Sequence, residues 1–184
     1  MIDIKPLIDY GHLNFGENKV QEAIQKWENI KNNSNKIQLH MIGKLQSNKV
    51  KHAINLFDYI HTLDNIRLAD KIANEEEKNN KKLKLFIQVN IGGENQKNGV
   101  LPSNLGDLYN HCKNQLKLNI LGLMCIPPIN GSIKYFKEMN KLNKELKLPE
   151  LSMGMSSDYL EAAKNGATYI RIGSSIFGSR SIKS

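Results

Sequence analysis

Residues 150–178 read ELSMGMSSDYLEAAKNGATYIRIGSSIFG. Two apolar runs, ELSM at 150–153 and TYIRI at 168–172, each break into a patch of serine and glycine. Between them lies a helical pattern over 158–165. Asp158 and Glu161 have the spacing of a capping box, and Asn165-Gly166 reads as the helix stop. Strand, helix, strand in close succession is the signature of a parallel βαβ unit.

Working outward, the unit recurs. Strand candidates are LNFG at 13–16, IQLHMIG at 37–43, YIHTL at 59–63, LKLFIQVNI at 83–91 and LNILGLMCI at 118–126. A helical pattern follows each, most clearly at 17–30, where Val20, Ile24, Trp27 and Ile30 form one apolar stripe. Strands alternating with helices at this spacing suggest a (β/α) barrel, which normally has eight strands. Only seven candidates are present. A doubly wound open sheet is the alternative, although no G-x-G-x-x-G fingerprint follows the first strand.

The chain of 184 residues, 40% hydrophobic and 24% charged, reads as one domain, 1–184, with no linker or low-complexity tract. No apolar run approaches the ~18 residues of a membrane span, and the N-terminus has no signal-peptide pattern. Cys112 and Cys125 have neither metal nor redox spacing, and a buried free thiol in a reducing cytoplasm fits Cys125. The net charge of +8 comes almost wholly from lysines interleaved with Asn, Glu and Leu, as on solvated helix faces. Without an arginine stripe or interleaved aromatics, specific nucleic-acid recognition is not expected.

Parallel strands are buried on both faces and ought to be apolar throughout. Here His40, His61, Asn90 and Arg171 stand toward the C-terminal ends of their runs, where a barrel builds its active site. Each histidine alone reads more readily as a hydrogen-bonded core residue than as a catalyst. Arg171 is different: an arginine inside an apolar strand needs a partner, so it is expected to face a ligand or a carboxylate in the barrel mouth. The loops after the last two strands carry Ser156, Ser157, Gly173, Ser174 and Ser175. Barrels commonly hold phosphate there: glycine lets backbone N–H groups approach, and serine adds hydroxyl donors. Ordinary serine N-caps are the competing reading.

Seven segments carry a family likeness: FGENKVQEA at 15–23, LHMIGKLQSNK at 39–49, IHTLDN at 60–65, VNIGGENQKNGV at 89–100, LGLMCIPP at 121–128, LSMGMSSDYLEAA at 151–163 and IRIGSSIFGSR at 170–180. In these the chain resembles the pyridoxal-phosphate homeostasis proteins (YggS/PROSC type), in family order over nearly its whole length. The resemblance implies a TIM-type barrel like the N-terminal domain of alanine racemase. It also implies a protein that binds pyridoxal 5'-phosphate (PLP), buffers and delivers it inside the cell, and performs no established catalysis. PLP-dependent apo-enzymes are candidate recipients. Carried over by position, Ser156, Gly173 and Ser174 hold the phosphate, Arg171 sits by the pyridine nitrogen, and Asn18 lies by the cofactor; His40 completes the expected cofactor-binding set.

The chain departs from the family at one place. The family's Schiff-base lysine ends the first strand, about eighteen residues before the Phe of FGEN, which falls about four residues upstream of Met1. A barrel lacking its first strand is therefore expected, seven strands of eight, and covalent attachment of PLP is in question. Lys5 lies within the pattern of the first helix, and Lys97 belongs to another loop. Two further function classes compete: an alanine-racemase-like PLP enzyme, which needs that lysine and a second base, and a lysine-rich protein binding anions or nucleic acid.

Overall fold

Each of the seven apolar runs forms a strand in the computed structural model, which describes residues 4–33, 36–128 and 130–178. The strands are β1 (Asn14–Glu17), β2 (Gln38–Met41), β3 (Tyr59–Leu63), β4 (Lys84–Gln88), β5 (Ile120–Met124), β6 (Glu150–Met155) and β7 (Tyr169–Arg171). They make one sheet in chain order, and every neighbouring pair is parallel. The helices are α1 (Lys5–Asp9), α2 (Val20–Asn33), α3 (Val50–Leu56), α4 (Ile66–Lys78), α5 (Leu105–Asn110), α6 (Ser132–Glu145), α7 (Tyr159–Lys164) and α8 (Ser174–Phe177). Lys5 sits on α1, ion-paired with Asp9 at 2.6 Å.

Two cores lie on the two faces of the sheet. Phe15, Leu39, Met41, Ile60, Leu85, Ile87, Leu123 and Leu151 pack with the helices in one large cluster. The opposite face carries a small, separate cluster of Tyr59, Phe86 and Met124, with Tyr169 against it. A doubly wound sheet has helices on both faces and a strand order that reverses. Here the order is strictly sequential and the second core is built from strand residues alone, as in a barrel interior.

The sheet curls until its ends approach. The His40 ring of β2 lies 5.7 Å from the Tyr169 ring of β7, and His61 of β3 bonds Ser152 of β6 at 2.9 Å. Yet β1 and β7 do not pair among the described residues. The molecule is a nearly closed barrel of seven strands.

Local sequence explains how the elements reach the site. On α2, Val20, Ala23 and Trp27 are buried, and the Trp27 indole N–H donates to Glu17 at the end of β1 at 2.7 Å. That bond, with Lys26 on the same carboxylate oxygen at 2.7 Å, makes burying Glu17 tolerable. Gly43 lets the chain after β2 press against the chain after β1: a Cβ there stands 2.1 Å from the Asn18 carbonyl oxygen. Helix α7 ends as expected, with Gly166 at φ +93°. Its start differs from expectation. Asp158 makes no capping bond to the helix; its carboxylate accepts from the Met155 N–H at 2.7 Å and closes the turn after β6 instead.

Candidate functional site

A cavity of about 450 Å³ opens in the gap between β1 and β7, at the C-terminal ends of the strands. Asn14, Gly16 and Asn18 form one wall; Tyr169, Arg171 and Gly173 form the other; His40 and His61 lie at its inner end. Ile126, Met155 and Ile176 supply apolar surface. No Asp, Glu or Lys lines it among the described residues. A separate cavity of about 370 Å³, with Lys19, Lys44, Lys49 and Glu22 in its lining, shares only Asn18 with it.

Arg171 sets the electrostatics. Its Nη1 donates to Ser152 Oγ at 2.8 Å and its Nη2 to the Cys125 carbonyl at 2.7 Å. Both partners are neutral, and no carboxylate forms an ion pair with it among the described residues. Of the two partners expected for this arginine, a ligand or a carboxylate, the second is absent. Burial lowers its pKa, with the Cys125 thiol and Asp158 working the other way. Arginine nonetheless stays protonated. A cation held by two neutral acceptors at a cavity wall leaves charge and donors for an anionic guest.

Behind Arg171 the interior is polar but neutral. His61 is 1% exposed; its Nδ1 meets Ser152 Oγ at 2.9 Å and its Nε2 meets His40 Nδ1 at 3.0 Å. His40 Nε2 reaches Asn14 Oδ1 at 3.1 Å. Burial lowers the His40 pKa to about 4, against the attraction of Asp58, with Lys84 and Lys31 helping burial. Burial also carries His61 well below its usual value, with His40 and Arg171 adding to the effect. Both rings are stacked, His40 on Tyr59 at 4.1 Å and His61 on Phe86 at 4.3 Å. The histidines are thus hydrogen-bonded core residues, and they bond to each other. Burial raises the Cys125 thiol to about 12, so it remains protonated and unreactive.

At the rim, the Gly173 and Ser175 N–H groups both point at Ser156 Oγ, at 3.3 and 3.5 Å. These bonds are long, and they mark a spot where one oxygen meets two backbone donors. Of the six residues expected to bind cofactor, Asn18, His40, Arg171 and Gly173 line the cavity, Ser156 is tied to Gly173, and Ser174 follows as the first residue of α8. Asn90 lies apart: its side chain bonds the Glu94 backbone and shapes its own loop. Lys97 pairs with Glu94 and the Pro127 carbonyl, also away from the cavity lining. Sequence reasoning missed Asn14, Tyr169 and Ser152. Tyr169 stands two residues before Arg171 in one strand, which puts both on the same face.

The family and the fold are shared with known proteins. A family model described as "Alanine racemase, N-terminal domain" matches residues 2–181. The pyridoxal phosphate homeostasis protein of Aquifex aeolicus (strain VF5) is 42% identical over 176 residues, covering 90% of this chain and 76% of that protein. PipY of Synechococcus elongatus PCC7942 has been solved without PLP and with PLP bound. The PLP-bound structure is 33% identical, covers 95% of this chain and 86% of its own, and has a TM-score of 0.86. An alanine racemase of Clostridium difficile 630, at 14% identity and a TM-score of 0.72, shares the fold alone.

Proposed function

This chain belongs to the family of pyridoxal phosphate homeostasis proteins, built on the alanine racemase N-terminal domain, and we propose that it binds PLP in the gap between β1 and β7 as a carrier. The observation that carries the reading is Arg171, a cation with no carboxylate partner among the described residues, in a cavity whose described lining holds no acidic residue. That donor set fits an anionic, acceptor-rich ring. The Gly173 and Ser175 N–H groups, with the Ser156 hydroxyl, would hold the phosphate, and Arg171 the ring nitrogen. Ile126, Met155 and Ile176 would supply apolar contact to the bound ring.

When bound, PLP supplies an aldehyde and a ring that withdraws electrons once its nitrogen is protonated. The Arg171 guanidinium, placed by that nitrogen, would oppose its protonation. The neutral histidines behind Arg171 offer no proton near pH 7. Without a lysine in the described lining, the contacts these residues provide are noncovalent. All three points favour holding and releasing PLP over turning it over, in keeping with a buffering role that supplies PLP-dependent apo-enzymes.

Equilibrium dialysis tests the reading. The chain is expected to bind PLP, and Arg171→Ala and Ser156→Ala each to weaken binding, the former by about tenfold or more because a charged hydrogen bond is lost. Alanine racemisation is expected to stay at background with PLP added. Unchanged binding in both variants, or saturable racemisation, overturns it.

A further inference from the structure

Five side chains join the two walls of the cavity through the barrel interior: Arg171, Ser152, His61, His40 and Asn14. Their hydrogen bonds have one self-consistent direction. Arg171 can only donate, so Ser152 Oγ accepts from it. Ser152 is fully buried, and His61 Nδ1 is the only other partner of its hydroxyl among the described residues. Its proton therefore goes to His61 Nδ1, since the alternative buries an unpaired O–H. His61 is neutral, so its proton is on Nε2 and is donated to His40 Nδ1. By the same step His40 carries its proton on Nε2 and donates to Asn14 Oδ1.

The chain of donors thus begins at one edge strand and ends at the other, and it fixes the amide of Asn14. With Oδ1 turned to His40, the NH₂ of Asn14, an exposed residue that lines the cavity opposite Arg171, has no protein partner among the described residues. We propose that Asn14 is a ligand-binding residue, its NH₂ donating to an acceptor on the ring portion of PLP, and that Ser152, His61 and His40 are positioning residues that hold this orientation. The inference rests on the reading of the cavity as a PLP site and adds a second wall to it. The phosphate loop lies at Ser156 and Gly173, across the gap, so Asn14 recognises the ring and not the phosphate.

Two measurements test it. Long-range ¹H–¹⁵N spectra of the histidine side chains, taken on the chain without added ligand, are expected to show His40 and His61 neutral and both protonated on Nε2. A proton on Nδ1 of either one reverses the chain of donors and overturns the assignment. Binding is then measured with two probes, PLP and inorganic phosphate. Asn14→Ala is expected to weaken PLP about five- to tenfold, the value of one neutral hydrogen bond, and to leave inorganic phosphate unchanged. Asn14→Asp keeps an acceptor for His40 and leaves the two histidine tautomers as they are, but loses the NH₂, so PLP binding is expected to fall at least as far. Equal losses for both probes in Asn14→Ala, or no loss for PLP, overturn the role of Asn14. A chain that takes up inorganic phosphate but not PLP overturns the PLP reading itself; the tautomers then decide the positioning role alone.

Discussion

His40 and His61 are the residues whose ionisation the fold has most clearly decided. An unfolded histidine titrates near pH 6.5, whereas His40 in the barrel does so at about 4, and His61 moves in the same direction. As the pH falls below 6.5 the unfolded chain takes up protons that the folded chain refuses, so stability present above pH 6.5 is lost on the way to 4. One such histidine contributes up to about 1.4 kcal/mol per pH unit in that window. His111, whose pairing with Asp70 raises its pKa, works the opposite way but from the surface, where screening weakens it. The urea midpoint is expected to be flat above pH 7 and to fall steadily between pH 6.5 and 4.5. A midpoint independent of pH down to 5 contradicts the neutral pair. In the sequence, His40 and His61 stood out because polar residues are conspicuous in apolar strands. Ser152 and Asn14 did not, because a small serine fits a buried strand unremarked and an asparagine at a strand start looks like a turn residue. Only the curl of the sheet brings Ser152 to His61, 91 residues away.

The elements themselves were legible because buried parallel strands leave an unmistakable apolar trace, and all seven runs became strands. Helix α7 starts after Asp158, as its pattern indicates, but the expected capping bond is absent because the Met155 N–H takes the carboxylate. The close approach of two loops was invisible, since a glycine shows what it permits only when its neighbour is known. Gly43 carries the contact that positions Asn18 at the cavity. Gly43→Ala is expected to push the two loops apart, lower stability by about 1–3 kcal/mol and weaken PLP binding. Gly106→Ala on α5 is the control: nothing lies within 4 Å of its Cβ, and alanine favours helix, so stability is expected to hold or rise slightly. Thermal melts of the two variants distinguish a steric effect from a general intolerance of substitution.

For the whole molecule, the gap between β1 and β7 is both the proposed binding site and a hazard. Unpaired strand edges recruit other strands, and each backbone hydrogen bond they form contributes about 0.5–1.5 kcal/mol. Part of the β1 edge is covered, because His12 Nε2 donates to the Asn14 carbonyl at 2.7 Å. Leu13 and Phe177 remain 41% and 46% exposed near the two edges. Self-association that grows with concentration is expected in sedimentation velocity, and Leu13→Lys with Phe177→Lys is expected to suppress it by placing charge at the edges. Association undiminished in the double variant points to another surface.

The strand order has a further consequence, for how the chain reaches this state. Every ladder joins segments that follow one another in sequence, so no pairing has to wait for distant parts of the chain to meet. Each parallel ladder must still close a whole crossover, so pairing is slower here than in a helical bundle, although each added loop costs only a modest further entropy. The sheet can nucleate at any adjacent pair and zip outward in both directions. The wide closure, from His61 to Ser152, is made by side chains and is expected to follow the ladders that carry them. Trp27, the single tryptophan, reports the docking of α2 on β1. Its fluorescence change should therefore precede the slow exchange protection of the His61 ring proton, which appears only when the last polar contacts of the interior lock.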